Sequence, residues 1–454
     1  MRVLRSTGWM GLLVIAACSP VNSNDVDGGK SGDAGPARCG DHVRTPPEAC
    51  DGHDVGAQTC ANVGLGFVAG TLACSPGCSL ETGACTLPTS FGRFTLASQH
   101  LLTPRAEAVG FVLADKLYVL GGRVLGAGED GDGGTASAEV FTITASGDLS
   151  APLVVAGHEA GGTGLNVVRR GAAVARVTRP NGSDWIYVVG GFNASGADGG
   201  RKNVLATLER AAVVHDSQGH ETGELGPFVM VTDPVAPQRN LEMISGRSFA
   251  AAVARADSLY VIGGADAAST LASVDHLPLT SDGLPSGAFA SSGPIPAGQV
   301  PRTSHAIAVG DDFVALMGGH FADPPEPGAV DGVLVAPFSA GGVLGPITKT
   351  TALRQAREGA SAVFFNQRAF VLGGAQGAGA TVQPNEVAPV NPQVGGPFGF
   401  APMEAEHNLD KNRSLFQAFH VARVNRIYVV GGYDQPGFPG GALLDSILVA
   451  PVVP

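Results

Sequence analysis

Short apolar runs that end in two glycines recur along most of the chain. Each run is rich in β-branched and aromatic residues, which favour extended strands, and paired glycines suit points where backbones crowd or φ is positive. The six pairs are Gly121–Gly122, Gly190–Gly191, Gly263–Gly264, Gly318–Gly319, Gly373–Gly374 and Gly431–Gly432. Successive pairs lie 69, 73, 55, 54 and 58 residues apart. Six matched copies predict a repeated β unit rather than isolated turns.

Two further β-rich segments complete each repeat. Third runs follow the glycine pairs at 138–143, 208–214, 271–279, 330–338, 385–390 and 445–452, and Gly-bounded turns then lead to fourth segments at 225–228, 286–289, 344–347 and 395–398. Units of about 50 residues with four short strands are typical of β-propeller blades. We therefore predict an all-β, six-bladed propeller over residues 90–454. Residues 90–96 look like a fourth strand, so we expect them to complete the sixth blade and bury its edge.

An arginine precedes every glycine pair. Four of the six lie 16 residues before the first glycine, and the other two intervals are 20 and 18 residues. The six are Arg105, Arg170, Arg247, Arg302, Arg357 and Arg413. Two interpretations stay open: the arginines ring one mouth of the central channel, or each makes a contact between blades that repeats with the unit. We favour the second, because catalytic residues rarely recur in every repeat.

The repeats resemble those of the kelch family over roughly residues 90–454. The matching marks are the apolar run with its diglycine and the upstream arginine. Kelch blades usually carry a Tyr and a Trp after the diglycine, and the sequence departs from this because Trp185, the one Trp beyond the signal peptide, precedes a diglycine. We expect Phe228, Phe289 and Phe398 to take the Trp role. The resemblance implies a six-bladed kelch-type propeller.

The N-terminus has the anatomy of an export signal. Arg2 and Arg5 precede an apolar run over 9–17, and small residues lead to Cys18. The run is too short to span a bilayer, so we predict a signal peptide over 1–17. Residues 15–18 resemble the bacterial lipobox, which implies lipidation of Cys18; the alternative is an ordinary signal peptide with a chance cysteine. Ser19, rather than Asp, implies the outer membrane by resemblance to Gram-negative lipoproteins.

Residues 18–38 are rich in Gly, Asp, Ser and Asn and predict a flexible tether. The six remaining cysteines fall within residues 39–85: Cys39, Cys50, Cys60, Cys74, Cys78 and Cys85. An even, clustered count in an exported chain predicts three disulfides, whose connectivity stays open. The alternative is a metal site that includes His42 and His53. The segment resembles the Cys-rich repeats of secreted myxobacterial proteins, through CGD at 39–41, PEACDG at 47–52 and the cysteine spacings that follow.

Candidate chemistry in the propeller is sparse. A galactose oxidase site needs a Cys–Tyr pair, but the propeller has no cysteine, and four of its tyrosines occupy one repeated position. A sialidase-like site needs an acid beside arginine; Glu107, Glu242 and Glu358 are the nearest candidates. The acidic loops at 128–134 and 196–200 offer weak calcium candidates, Asp130 and Asp132, but we expect no cofactor.

These patterns favour binding over catalysis. A net charge of −12 argues against nucleic acid. We expect a non-enzymatic, membrane-anchored kelch lipoprotein at the cell surface, with a lipid anchor as its only membrane contact. Its ligand would be a protein or glycan held by the long loops at 123–138 and 192–204. The alternative is an extracellular carbohydrate-active enzyme on the same scaffold.

Overall fold

The computed structural model describes residues 39–45, 48–63, 67–126, 128–129, 131–157, 161–193, 203–294, 302–321, 328–376, 384–434 and 441–454. The predicted signal peptide, Cys18, the tether and Asp130 lie outside these residues. The described chain is almost entirely β, with two short 3-10 helices, Ala405–His407 and Ala422–Val424. Within it, no helix has the length and apolar character needed to cross a membrane.

The Cys-rich module (residues 39–85) contains four two-residue strands. These are β1 Ala69–Gly70, β2 Ala73–Cys74, β3 Leu80–Glu81 and β4 Cys85–Thr86. All six cysteines pair, as Cys39–Cys78, Cys50–Cys74 and Cys60–Cys85. The prediction of three disulfides is confirmed, and no thiol of the module remains to bind a metal. Such cross-links indicate an oxidising environment.

Six antiparallel sheets follow and form the predicted propeller. Two short strands come first, β5 Ser90–Phe91 and β6 Thr95–Leu96. Blade one has β7 Arg105–Ala106, β8 Val109–Leu113, β9 Lys116–Leu120, β10 Arg123–Val124, β11 Ala138–Thr142 and β12 Leu153–Val155. Blade two has β13 Ala173–Val177, β14 Trp185–Val189, β15 Leu208–His215, β16 Glu221–Leu225 and β17 Val229–Met230.

The next two blades repeat this arrangement. Blade three has β18 Ala251–Arg255, β19 Ser258–Ile262, β20 Ser273–Pro278 and β21 Ala290–Pro294. Blade four has β22 Ala306–Val309, β23 Phe313–Met317, β24 His320–Phe321, β25 Gly328–Ala329, β26 Gly332–Pro337 and β27 Thr348–Ala352.

The last two blades complete the ring. Blade five has β28 Ser361–Phe365, β29 Arg368–Leu372, β30 Glu386–Asn391, β31 Gly396–Pro397 and β32 Ala401–Pro402. Blade six has β33 Gln417–Val421, β34 Arg426–Val430 and β35 Ile447–Val453. Its outer strand comes from the other end of the propeller, because β5 and β6 both pair with β35. The predicted closure is confirmed.

The faces of neighbouring blades pack against each other to form the core. Phe228 and Phe289 are buried there, as predicted from the Trp position. Phe398 is not: it is 40% exposed, and Phe400 two residues later is buried in its place. Strand periodicity explains the error, since residues two apart share a face and sequence alone does not say where pairing with the neighbour begins.

Candidate functional site: one mouth of the propeller channel

Each blade carries one buried arginine that joins it to the blade before it. The arginine's backbone oxygen accepts a hydrogen bond of 2.7–2.9 Å from the second glycine of the preceding blade's pair. Its Nη1 donates, over 2.7–3.1 Å, to the backbone oxygen of the first glycine in its own blade. The six are Arg105, Arg169, Arg247, Arg302, Arg357 and Arg413. The repeated arginines are therefore contacts between blades, buried away from the channel mouth.

Blade two differs from the sequence assignment. Arg169, not Arg170, occupies the repeated position, donating to Gly190 and pairing with buried Glu209 at 2.8 Å. Arg170 is the next residue and points to the mouth instead. An inserted turn at 180–182 lengthens this interval, so spacing could not separate the two neighbours.

The glycine pairs are required by the same contacts. At Gly190, with φ +63°, an added Cβ would lie 2.3 Å from the backbone oxygen of Arg247. At Gly191, with φ +90°, it would lie 2.8 Å from the backbone oxygen of Arg170. The other five pairs also have positive φ at both positions. Glycine is retained because both the conformation and the close approach exclude a side chain.

A closed ring of backbone hydrogen bonds encircles the channel at the diglycine face, the face formed by the strand ends that carry the glycine pairs. The residue two after each repeated arginine is left-handed, with φ between 52° and 61°. The six are Glu107, Gly171, Phe249, Ser304, Gly359 and Leu415. Each N–H donates to the backbone oxygen of the equivalent residue in the preceding blade, over 2.6–3.1 Å, and Glu107 donates to Leu415 to close the circle. This ring fixes the six blades around one mouth.

Polar and charged groups from three blades meet at that mouth. The Glu107 carboxylate accepts hydrogen bonds from Arg170 Nε, at 2.9 Å, and from the Tyr433 hydroxyl, at 2.8 Å. The Arg170 guanidinium lies 4.6 Å from the centre of the Phe192 ring, and its Nη1 donates to Asp132 at 3.3 Å. Glu107 and Arg170 are almost fully buried, whereas the Asp132 side chain is 40% exposed.

Burial and neighbouring charges together determine the ionisation of Tyr433 and Arg170 in this cluster. Burial raises the pKa of Tyr433 far above its usual range, and the neighbouring Glu107 carboxylate adds to the effect. Burial alone would lower the pKa of Arg170, but the charge and hydrogen bond of Glu107, with smaller contributions from Tyr433 and Asp132, together raise it, so the guanidinium stays charged. The cluster thus contains a neutral phenol and a charged guanidinium.

A second pair lies between blades four and five. His320 Nδ1 is 2.5 Å from Glu358 Oε2, with side chains 30% and 15% exposed. His320 directly follows a glycine pair, and Glu358 directly follows a repeated arginine. The residue after each glycine pair and the residue after each arginine are the positions that meet at this face. Aligning the repeats on those two positions would have revealed the pair.

The other acidic residues that the sequence suggested for catalysis or calcium binding differ in where they lie and what they contact. Glu107 and Glu358 reach the mouth, whereas Glu242 is exposed and pairs through its backbone with Thr207. In the described part of the blade-one acidic loop, Glu129 accepts hydrogen bonds from Thr135 and Ala136, and Asp132 pairs with Arg170. These carboxylates serve to fold the loop.

The repeated tyrosines are packing residues. Tyr118, Tyr187, Tyr260 and Tyr428 are buried, and each hydroxyl donates to a glycine backbone oxygen in the next blade around the ring. Burial raises the pKa of Tyr428 to about 12, so it is a neutral hydrogen-bond donor.

Comparison with known proteins supports the fold and gives no family. No protein-family model matches the chain, and no curated protein matches it. A solved structure of YjhT is similar, with a TM-score of 0.51 and 14% identity over 77% of this chain and 95% of that chain. At this identity the likeness shows the propeller fold alone.

Proposed function

We propose that this chain is an exported kelch-type propeller lipoprotein that binds a glycan at the diglycine mouth, without catalysing a reaction. The observation that carries the binding proposal is that the partly exposed side chains of Asp132, His320 and Glu358 lie at one end of the channel. The buried Glu107, Arg170 and Tyr433 lie behind them and hold Asp132 through its ion pair with Arg170. Guanidinium, carboxylate and imidazole groups held by a rigid scaffold are suited to hydroxyl-rich ligands. The connections that follow the glycine pairs begin at the same face, where the longer ones can contact a longer ligand.

A glycan array tests the binding site. The purified chain with Cys18→Ser is compared with Arg170→Met and Glu358→Gln, and we expect both variants to lose at least tenfold in affinity for any glycan the parent binds. Arg368→Met is the matched control, because Arg368 begins β29 at the opposite end of blade five. Equal binding by all four proteins, or capture of proteins but no glycan, would contradict the proposal.

Anchoring rests on the lipobox resemblance and needs its own test. We expect Cys18→Ala to abolish incorporation of labelled palmitate and to move the protein from the outer-membrane fraction to the soluble fraction. Membrane retention with no labelled lipid in the parent would contradict a lipid anchor.

A carbohydrate-active enzyme is the second candidate, and the His320–Glu358 pair favours it. An imidazole oriented by a carboxylate is an arrangement used for general acid–base catalysis. A hydrolysis screen on sialosides and β-linked polymers, run with His320→Gln, tests it. Turnover that disappears in the variant would replace the binding proposal.

A further inference from the structure

The Cys-rich module is docked on the propeller at the face opposite the diglycine mouth. Asn425, in the turn between β33 and β34, donates its Nδ2 to the backbone oxygens of Ala61, at 3.2 Å, and Phe67, at 2.7 Å. Asn366, in the equivalent turn of blade five, donates to Pro88 at 2.8 Å. Val68 packs against the hydrophobic cluster that surrounds Phe91. The module and the segment that links it to β5 therefore contact blades five and six through both polar and apolar groups.

The outer strand of blade six, which lies beside this dock, is short and interrupted. β5 and β6 contain two residues each and pair only with β35, through Ser90–Val453, Phe91–Val452, Thr95–Val449 and Leu96–Leu448. Backbone bonds from Thr89, Gly92 and Ala97 to β35 add to this pairing. Strands this short give little independent stability, so support from outside the blade matters.

One disulfide connects the dock to that strand. Cys85 lies five residues before Ser90, the start of β5, and pairs with Cys60. Cys60 is bonded directly to Ala61, whose backbone oxygen is held by Asn425. A cross-link therefore runs from the blade-six turn through Ala61, Cys60 and Cys85 to the outer strand of the same blade. Because this cross-link restricts the conformations open to the segment before β5, less conformational entropy is lost when the outer strand pairs with β35. The cross-link therefore favours closure of blade six.

We propose that the Cys-rich module is a redox-dependent clamp on propeller closure, acting through Cys60–Cys85 and Asn425. A dithiol reductant transfers two electrons and two protons to this bond, leaving two thiols on the chain and a disulfide on the reductant. With the cross-link opened, the short outer strand separates more often from β35 and exposes the edge of blade six. Blades one to four, which the module does not contact through these bonds, keep their protection.

Hydrogen exchange measured by mass spectrometry on the full chain tests the clamp. We expect Cys60→Ser with Cys85→Ser to raise exchange at least tenfold in peptides 89–97 and 445–454, with peptide 251–262 of blade three unchanged. Cys39→Ser with Cys78→Ser is the control disulfide, since neither cysteine adjoins the dock or β5. Unchanged exchange in 89–97, or an equal rise in the control, would overturn the proposal.

A second variant tests the dock with every disulfide intact. Asn425 is left-handed, with φ 51°, so Asn425→Gly removes the amide while keeping the backbone conformation. We expect the same two peptides to exchange faster. Asn203→Gly is the matched control, because Asn203 is also left-handed, with φ 49°, and lies in blade two. No change in Asn425→Gly, or an equal change in both variants, would show that the dock does not support closure.

Discussion

Neighbouring residues of the same type have different roles in this chain. Arg169 is buried and joins blade two to the rest of the ring, whereas Arg170 orients Glu107 at the channel mouth. Arg105, Arg169, Arg247, Arg357 and Arg413 each pair with a carboxylate, and for the first four that carboxylate lies on the third strand of the blade. Because removing one member of a buried pair leaves an uncompensated charge, these positions should be among the most sensitive in the fold.

Arg357→Met tests that sensitivity. Glu386 is 1% exposed and would keep only the backbone N–H groups of Arg354 and Gln355 as partners. We expect the free energy of unfolding, measured by urea titration, to fall by about 3–5 kcal/mol. Adding Glu386→Gln should recover part of that loss, because it removes the buried carboxylate charge that has lost its arginine partner. Arg368→Met should change stability by less than about 0.5 kcal/mol. A loss of similar size in both single variants would argue against a specific role for the buried pair.

His305 makes stability depend on pH. Burial, with a smaller contribution from the Arg302 charge, lowers the pKa of His305 to about 3. The unfolded chain takes up a proton near pH 6.5 and the folded chain does not, so stability present above pH 6.5 is lost as pH falls toward 3. Blade six has Phe416 at the equivalent position. We expect wild type to lose about 1.5 kcal/mol more than His305→Phe between pH 6.5 and pH 5. Parallel urea titration curves would contradict this.

At the scale of the strand and turn, the sequence was informative wherever geometry restricts the residue type. Glycine pairs predicted the blade number because both positions have positive φ and touch backbone, as at Gly190 and Gly191. The left-handed residue two positions after each repeated arginine was not predictable, since that position is occupied by Glu107, Phe249, Ser304 or Leu415 as well as by glycine. Glu107, Arg170 and Glu358 could therefore be named from the sequence only as separate candidates. The contacts of Glu107 with Arg170 and Tyr433, and of Glu358 with His320, required the structure.

Gly190→Ala and Gly219→Ala separate the two requirements on glycine. Both residues have positive φ, +63° and +85°, but an added Cβ meets a backbone oxygen at 2.3 Å in Gly190 and nothing within 4 Å in Gly219. Gly219→Ala should cost about 1 kcal/mol, the penalty for a left-handed non-glycine residue. Gly190→Ala should cost at least about 2 kcal/mol more, because the junction with blade three must shift. Equal losses in urea titrations would show that conformation alone selects glycine.

At the scale of the whole molecule, the contacts between blades make the propeller a closed system. Linear repeat proteins unfold as neighbouring units that interact pairwise, and their ends can unfold separately. Here the backbone ring from Glu107 to Leu415 returns to its start, and β5 with β6 completes the last blade. No propeller blade is therefore terminal, and loss of one junction weakens the whole ring.

Phe91→Ala tests this cooperativity. Phe91 is fully buried in blade six against Phe94 and Phe370, so its removal should cost about 3–5 kcal/mol. If the ring is cooperative, scanning calorimetry of the variant should show one propeller transition at lower temperature, with tryptophan fluorescence from Trp185 in blade two shifting together with it. Val177→Ala, a buried change in blade two, should lower both readouts in the same way although it lies far from the closure. If Phe91→Ala instead produced a separate early transition that left the Trp185 signal unmoved, blade six would be an independent unit and closure would not couple the blades.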